Sequence, residues 1–320
     1  MNSFNLGNGI HHIPMSLPWS SPGFVNIYLI EDKNGYVMID CGVEGEEYYQ
    51  LLIEQLSNLK INIQDISLLI GTHMHSDHIG LSTRIREQGV KFALYKNSKD
   101  FINHYNDWKI RFRELIVLAE KQGAPKSFIK DLNEIDTPIY AGKITEPDLL
   151  LEEGAVPEVD RKLYTLFTPG HDITEISIHD SSSKVIFSGD HILPKITPFI
   201  PTTNEDDDML GKYGESLDKV FNINHSIIAP GHGGLITSPY ERIEQMKLHH
   251  QRRTEKILEI LKASKKSGWE ILEELFPRNL DPLNLRLAFQ ETMAHILYLK
   301  KNNKINFDLV NSVQIWEKLS

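Results

Sequence analysis

The sequence predicts an α/β layered protein followed by a smaller helix-rich module, and three observations carry that reading. Short β-type runs alternate with helical patterns through most of the chain. Four of those runs are apolar, break at Gly or Pro, and then present His or Asp. Past Ser238-Pro239 the composition turns helical.

Taken in order, "FVNIYLI" (24–30), "GYVMID" (35–40), "ISLLIGTH" (66–73) and "VKFALY" (90–95) read as strands. Between them "EEYYQLLIEQLSNL" (46–59) repeats Tyr49, Leu52, Ile53, Leu56 and Leu59 at helical spacing. A helical insertion is expected over 97–132, with Phe101, Tyr105, Trp108, Phe112, Leu115 and Ala119 on one face. That face would either pack plainly or line a substrate pocket as a lid. Strands resume with "LYTLFTPGHD" (163–172), "EISIHD" (175–180), "KVIFSGDH" (184–191) and "HSIIAPGHG" (225–233). Domains are expected at 1–238 and 239–320, the second with helices at 240–264, 268–276 and 282–301 and a hairpin around Asn311-Ser312.

Composition narrows the class. At 320 residues and 40% hydrophobic content the chain can build a substantial core. No apolar run approaches the ~20 residues of a membrane helix, and no basic n-region precedes an apolar stretch, so a cytoplasmic protein without membrane partners is expected. The single cysteine, Cys41, excludes an intramolecular disulfide and a thiolate-rich metal site. Residues 241–320 hold 14 Lys+Arg against 11 Asp+Glu, which leaves 20 against 33 in the first 240. A main part at −13 repels nucleic acid.

The stretch "LLIGTHMHSDHIG" (68–80) concentrates ligand-type side chains. On an extended segment His73 and His75 face the same way, with Cα atoms ~6.6 Å apart, and can converge on one ion. Asp77 and His78 follow a turn and can face a second. Imidazole and carboxylate donors suit zinc, manganese or iron rather than calcium. Two coordination spheres need more ligands, and His171, Asp190 and His232 each stand just past an apolar run. Two ions ~3.5 to 4 Å apart would bring a shared water's pKa toward ~7 and make hydrolysis the natural reaction.

Asp40 in "VMIDCG", "THMHSDH", "TPGH", "SGDH" and "PGHG", in that order over 26–234, resemble the metallo-β-lactamase-fold hydrolase superfamily. The resemblance implies a four-layer αβ/βα sandwich and two Zn2+ per chain, with Mn2+ or Fe2+ as other options. His73, His75 and His171 would hold one metal, and Asp77, His78 and His232 the other. Asp190 would bridge them, Asp77 and Asp190 would act in catalysis, and Asp40 would steady the ligand loops. The segment after 239 resembles the winged-helix-like appendage of one branch. The implied function is a dinuclear hydrolase using a metal-bridging hydroxide on an ester, thioester or lactone-type small molecule. The alternatives are a phosphodiesterase or ribonuclease of the same fold, or a mononuclear iron persulfide dioxygenase-like oxidoreductase. Zinc β-lactamases carry Cys or Ser where this chain has Asp190, which argues against β-lactams.

His191 is a candidate to support the bridging aspartate, and Asp172 either orients His171 or caps the following turn. The helix "PLNLRLAFQETMAHILYLKKNN" has Arg286 as its one basic residue before Lys300 and is heavily apolar. It is expected to pack against the metal domain or a second subunit of a homodimer, not to read DNA.

Overall fold

The computed structural model describes residues 4–135 and 140–319. Strands β1 (Phe4–Gly7), β2 (Ile10–Ser16), β3 (Phe24–Asp32) and β4 (Gly35–Ile39) precede α1 (Glu46–Asn58) and β5 (Ile66–Ile70). Short helices α2 (Ser76–Ile79) and α3 (Ser82–Arg86) lead to β6 (Lys91–Tyr95). The insertion is a 3-10 turn at Lys96–Phe101, then α4 (Ile102–Asn106), α5 (Trp108–Lys121) and α6 (Lys126–Asn133). Next come β7 (Leu149–Leu151), β8 (Gly154–Ala155), β9 (Leu163–Phe167), β10 (Ile176–Asp180) and β11 (Val185–Gly189). After these stand α7 (Met209–Phe221) and β12 (Ile227–Pro230). The C-terminal segment is α8 (Pro239–Ala263), β13 (Lys266–Ser267), α9 (Gly268–Leu275), α10 (Pro282–Lys301), β14 (Ile305–Val310) and β15 (Val313–Lys318).

The first sheet runs β1 to β7 in chain order, antiparallel as far as β4 and parallel from there. The second has the order β12-β11-β10-β9-β8; β10 opposes both neighbours, so β9, β11 and β12 point the same way. Side-chain alternation shows why the strands read as nearly continuous apolar runs. Tyr28, Ile30, Val37, Ile39, Leu68 and Ile70 enter one core with Ile176, Ile178, Phe187 and Ala229 of the second sheet. Their neighbours Ile27, Leu29, Met38 and Leu69 pack on the other face with Leu52 and Leu56 of α1. Ile186 and Ile228 face outward onto Tyr213, Leu217 and Val220 of α7 and Ile243 of α8. Helix, sheet, sheet and helix form the four layers.

A further core joins the insertion to the C-terminal segment. Phe112, Leu115, Leu118, Phe128 and Leu132 pack with Ile257, Trp269, Phe289, Met293 and Trp316. Buried Gln122 locks this contact: its Nε2 donates to Gln314 Oε1 at 2.6 Å and its Oε1 accepts from Trp316 Nε1 at 2.8 Å. The expected hairpin forms, with Asn311 and Ser312 at φ of 49° and 67° supplying a two-residue turn.

Two expectations need correction. The expected face of the insertion is divided between two cores, because the backbone turns extended at Asp107, which caps α5 by accepting from Lys109 N. Tyr105 then joins the core under the first sheet, while Phe112, Leu115 and Ala119 join the C-terminal core. His73 and His75 are not on an extended strand either. β5 ends at Ile70, and residues 72–74 bend before α2 begins at Ser76.

Candidate metal centre

Strand direction explains why the ligand-type residues meet. β4 and β5 are parallel, and β9, β11 and β12 share a direction in the second sheet. Their C-terminal ends carry Asp40, the 73–78 bend, His171, Asp190 and His232 to one edge of the sandwich. β10 runs the other way, so Glu175, the residue before it, arrives at the same edge from its start.

All seven residues singled out in the sequence come together. Nitrogens of His73, His75 and His171 form one group able to hold an ion, and Asp77, His78 and His232 form another. In the first, His75 Nδ1 lies 2.9 Å from His73 Nε2 and 3.1 Å from His171 Nε2. In the second, His232 Nε2 lies 3.3 Å from Asp77 Oδ2, and His78 Nε2 is 3.9 Å from the same oxygen. Asp190 faces both groups, 3.4 Å from His232 Nε2, 3.5 Å from His78 Nε2 and 3.7 Å from His171 Nε2.

The far nitrogens of four of these rings are tied down, which aims the near ones inward. His78 Nδ1 donates to Asp40 Oδ2 at 2.7 Å, His171 Nδ1 to the Phe199 carbonyl at 2.7 Å, and His232 Nδ1 to the Phe24 carbonyl at 2.7 Å. Thr72 Oγ1 donates to Asp40 Oδ2 at 2.9 Å and so accepts from His73 Nδ1 at 3.0 Å. Asp40, at φ 59°, also accepts from Thr72 N. Through these contacts Asp40 ties down the 72–78 bend.

The donor set fits a cation. His78 Nε2 and Asp190 Oδ1 are buried, face each other at 3.5 Å and make no hydrogen bond among the described residues, an arrangement that leaves both free to turn to an ion. Gly231 leaves room for the carboxylate: a Cβ there would stand 2.5 Å from Asp190 Oδ1 and 2.7 Å from His78 Cε1. Electrostatics point the same way. Burial opposes charge on His78, yet Asp40, Asp190 and Asp77 around it raise its pKa well above the usual value. His232, despite burial, is raised to about 10 by Asp190 and Asp77. Asp77, which burial alone would push up, is drawn down to about 2 by His78 and His232.

Sequence reading missed three supports. Glu175 Oε1 accepts from Asp190 N at 2.9 Å and lies 3.9 Å from His73 Nδ1. It precedes a strand, whereas the other ligand-type residues follow one. Asn26 Nδ2 donates to the carbonyls of Pro230 and Gly233, pinning the His232 loop to β3. Thr72 lay unread inside the motif. Asp172 caps the turn by accepting from Thr174 N and Oγ1, and its other oxygen is 3.9 Å from His75 Nε2. His191 is buried with its ring against Tyr213, 5.1 Å between centroids.

A cleft of about 380 Å³ opens beside His75 and Asp77. Its walls are Trp19 and Phe199 of the main body, Tyr105, Trp108 and Phe112 of the insertion, and Arg286, Leu287 and Gln290 of α10. The insertion and α10 thus both border the candidate site.

Fold and site together define a metal-binding hydrolase of the metallo-β-lactamase fold. Residues 20–232 match the metallo-beta-lactamase superfamily and 254–309 the metallo-beta-lactamase-like C-terminal domain; the chain belongs to the metallo-beta-lactamase superfamily. It is 25% identical over 292 residues to a probable metallo-hydrolase, YqjP, of Bacillus subtilis, covering 88% of this chain and 90% of that one. It is 26% identical over 200 residues to the acyl-coenzyme A thioesterase MBLAC2 of Homo sapiens, covering 58% of this chain and 64% of that protein. A metallo-beta-lactamase family protein of Thermus thermophilus superposes with a TM-score of 0.81 at 26% identity, over 98% of this chain and all 100% of that one.

Proposed function

We propose that the protein is a dinuclear zinc hydrolase that cleaves the acyl bond of a small ester, thioester or lactone. The observation that carries this reading is the convergence of seven ligand-type side chains, with His78 Nε2 and Asp190 Oδ1 buried 3.5 Å apart and not hydrogen-bonded among the described residues. His73, His75 and His171 would hold one ion, Asp77, His78 and His232 the other, and Asp190 would touch both. Two such ions lower the pKa of water toward neutrality and polarise a carbonyl oxygen. Asp77 and Asp190 would orient the attacking water and accept its hydrogen bonds. Trp19, Tyr105, Trp108, Phe112, Phe199 and Leu287 would exclude bulk water and hold the apolar body of the substrate. In this reading the winged-helix-like module of 239–320 serves as a wall of the cleft and not as a reader of DNA. The thioester is favoured within the class by the likeness to the human acyl-coenzyme A thioesterase.

The test is metal analysis after reconstitution, joined to an assay of ester, thioester, lactone, β-lactam and phosphodiester substrates with zinc, manganese and iron. Two equivalents of metal and turnover of an acyl substrate are expected. A single iron with oxygen-dependent chemistry, or turnover of phosphodiesters alone, would overturn the proposal.

A further inference from the structure

The cleft beside the candidate metal centre is lined mainly by aromatic and aliphatic side chains, yet one cation enters it. Among the described residues that line it, Arg286 is the one Lys or Arg. Its guanidinium carbon lies 5.1 Å from the centroid of Phe112, another wall residue, so the side chain bridges from α10 to α5 across the cleft wall. A cation–π contact of this kind keeps the charge at the apolar surface. A guanidinium has five donors in a planar fork, enough to serve a protein acceptor and an incoming oxyanion together.

A second cavity, of about 250 Å³, shares Met74, Tyr105 and Thr203 with the first. Its charged lining is Glu114, Asp172 and Asp207, with His104 beside them and no Lys or Arg among its described residues. The second lobe is thus acidic, with Asp207 paired to Lys212 at 2.6 Å, while the first holds Arg286 on its α10 wall and Asp77 on the side of the metal centre. An anion would be repelled from the second lobe and drawn to the α10 side of the first.

Resting on the acyl hydrolase reading above, we propose that the substrate carries an oxyanion remote from the scissile bond and that Arg286 is the residue that selects it. The C-terminal module would then determine specificity, while the ligand residues all come from the main body. The oxyanion is either a carboxylate at the far end of the acyl chain or a phosphate on the leaving group, since both match the guanidinium fork.

The experiment compares three thioesters of equal length on the zinc-loaded protein: a neutral acyl group on a neutral thiol, an ω-carboxyacyl group on the same thiol, and the neutral acyl group on phosphopantetheine. One anionic substrate should exceed the neutral one by about tenfold or more in kcat/KM, mainly through KM. In Arg286→Met, which keeps length and packing against Phe112, that ratio should fall to within about threefold, and Arg286→Lys should keep part of it. Which anionic arm responds names the oxyanion. No anion preference in the natural chain, or the same ratio in Arg286→Met, would show that Arg286 only joins α5 to α10. If none of the three thioesters turns over, thioester cleavage fails but the anion site is still tested. Octanesulfonate and 1-octanol would be titrated into the zinc-loaded protein, following the intrinsic fluorescence to which Trp19 and Trp108 of the cleft contribute. Sulfonate binding weakened about tenfold in Arg286→Met, with octanol as the reference, supports the site; equal sulfonate binding in both proteins overturns it.

Discussion

Asp190 faces both nitrogen groups, while its backbone N–H is held by Glu175, so the side chain can be removed without cutting the hydrophobic core. Asp190→Ala is expected to lower kcat/KM by about 100-fold or more with its far-UV spectrum retained. Turnover near that of the natural chain would remove Asp190 from the mechanism. Asp40 offers a finer test. Its φ of 59° is tolerated by Asn, so Asp40→Asn keeps the backbone and loses the charge that receives His78 Nδ1–H. Metal retention against a chelator should weaken by about 10–100-fold; unchanged retention would mean that the contact does not hold the ring. Side chains of this kind were legible wherever a short motif crowds donors, as at 73–78. Glu175 and Asn26 were not, because each stands alone in sequence and joins the site only through strand pairing. The buried pairing of His250 Nδ1 with His295 Nε2 at 3.1 Å had no signal at all.

That histidine pair lies between two helices, α8 and α10, and sets a pH limit on their packing. Burial pushes His250 down to about 2, helped by His295, His249 and Arg253, and burial pushes His295 down to about 3 against its bond to the Glu291 carbonyl. An unfolded imidazole titrates near ~6.5. Below that pH the unfolded chain takes up protons that the native rings refuse, so this stability is present above ~6.5 and lost as pH falls toward 3. Between pH 7 and 5 the loss should be about 2 kcal/mol per ring. A chain with His250→Gln and His295→Gln should show a smaller drop in urea midpoint over that interval; an equal drop would refute the assignment. Elements with strong periodicity were readable, such as α1 and the two-sided strands. Helix α7 was overlooked although Met209, Leu210, Tyr213, Leu217 and Val220 recur at helical spacing. Gly211 and Gly214 weaken its propensity, and the acidic run 205–208, whose last residue caps the helix, reads as loop. The break at Asp107 was missed for the opposite reason, since the aromatic period runs through it while the backbone does not.

At the scale of the whole molecule, the insertion and the C-terminal segment have one core between them. A chain ending at residue 238 would expose Phe112, Leu115, Phe128 and Leu132 on the insertion. It is expected to aggregate and to lose activity, measured by size-exclusion chromatography and by turnover of the best acyl substrate. A soluble, fully active truncated chain would show that the two segments are independent. The alternation of strands and helices made the layered body legible, but nothing local could reveal that 108–132 is covered by residues far down the chain. The same arrangement has a consequence during synthesis. The insertion leaves the ribosome roughly 150 residues before α10, and at ~5–20 residues per second its apolar helices wait about 8–30 s for their cover. For that interval the nascent chain displays a binding surface for chaperones that the finished protein no longer has.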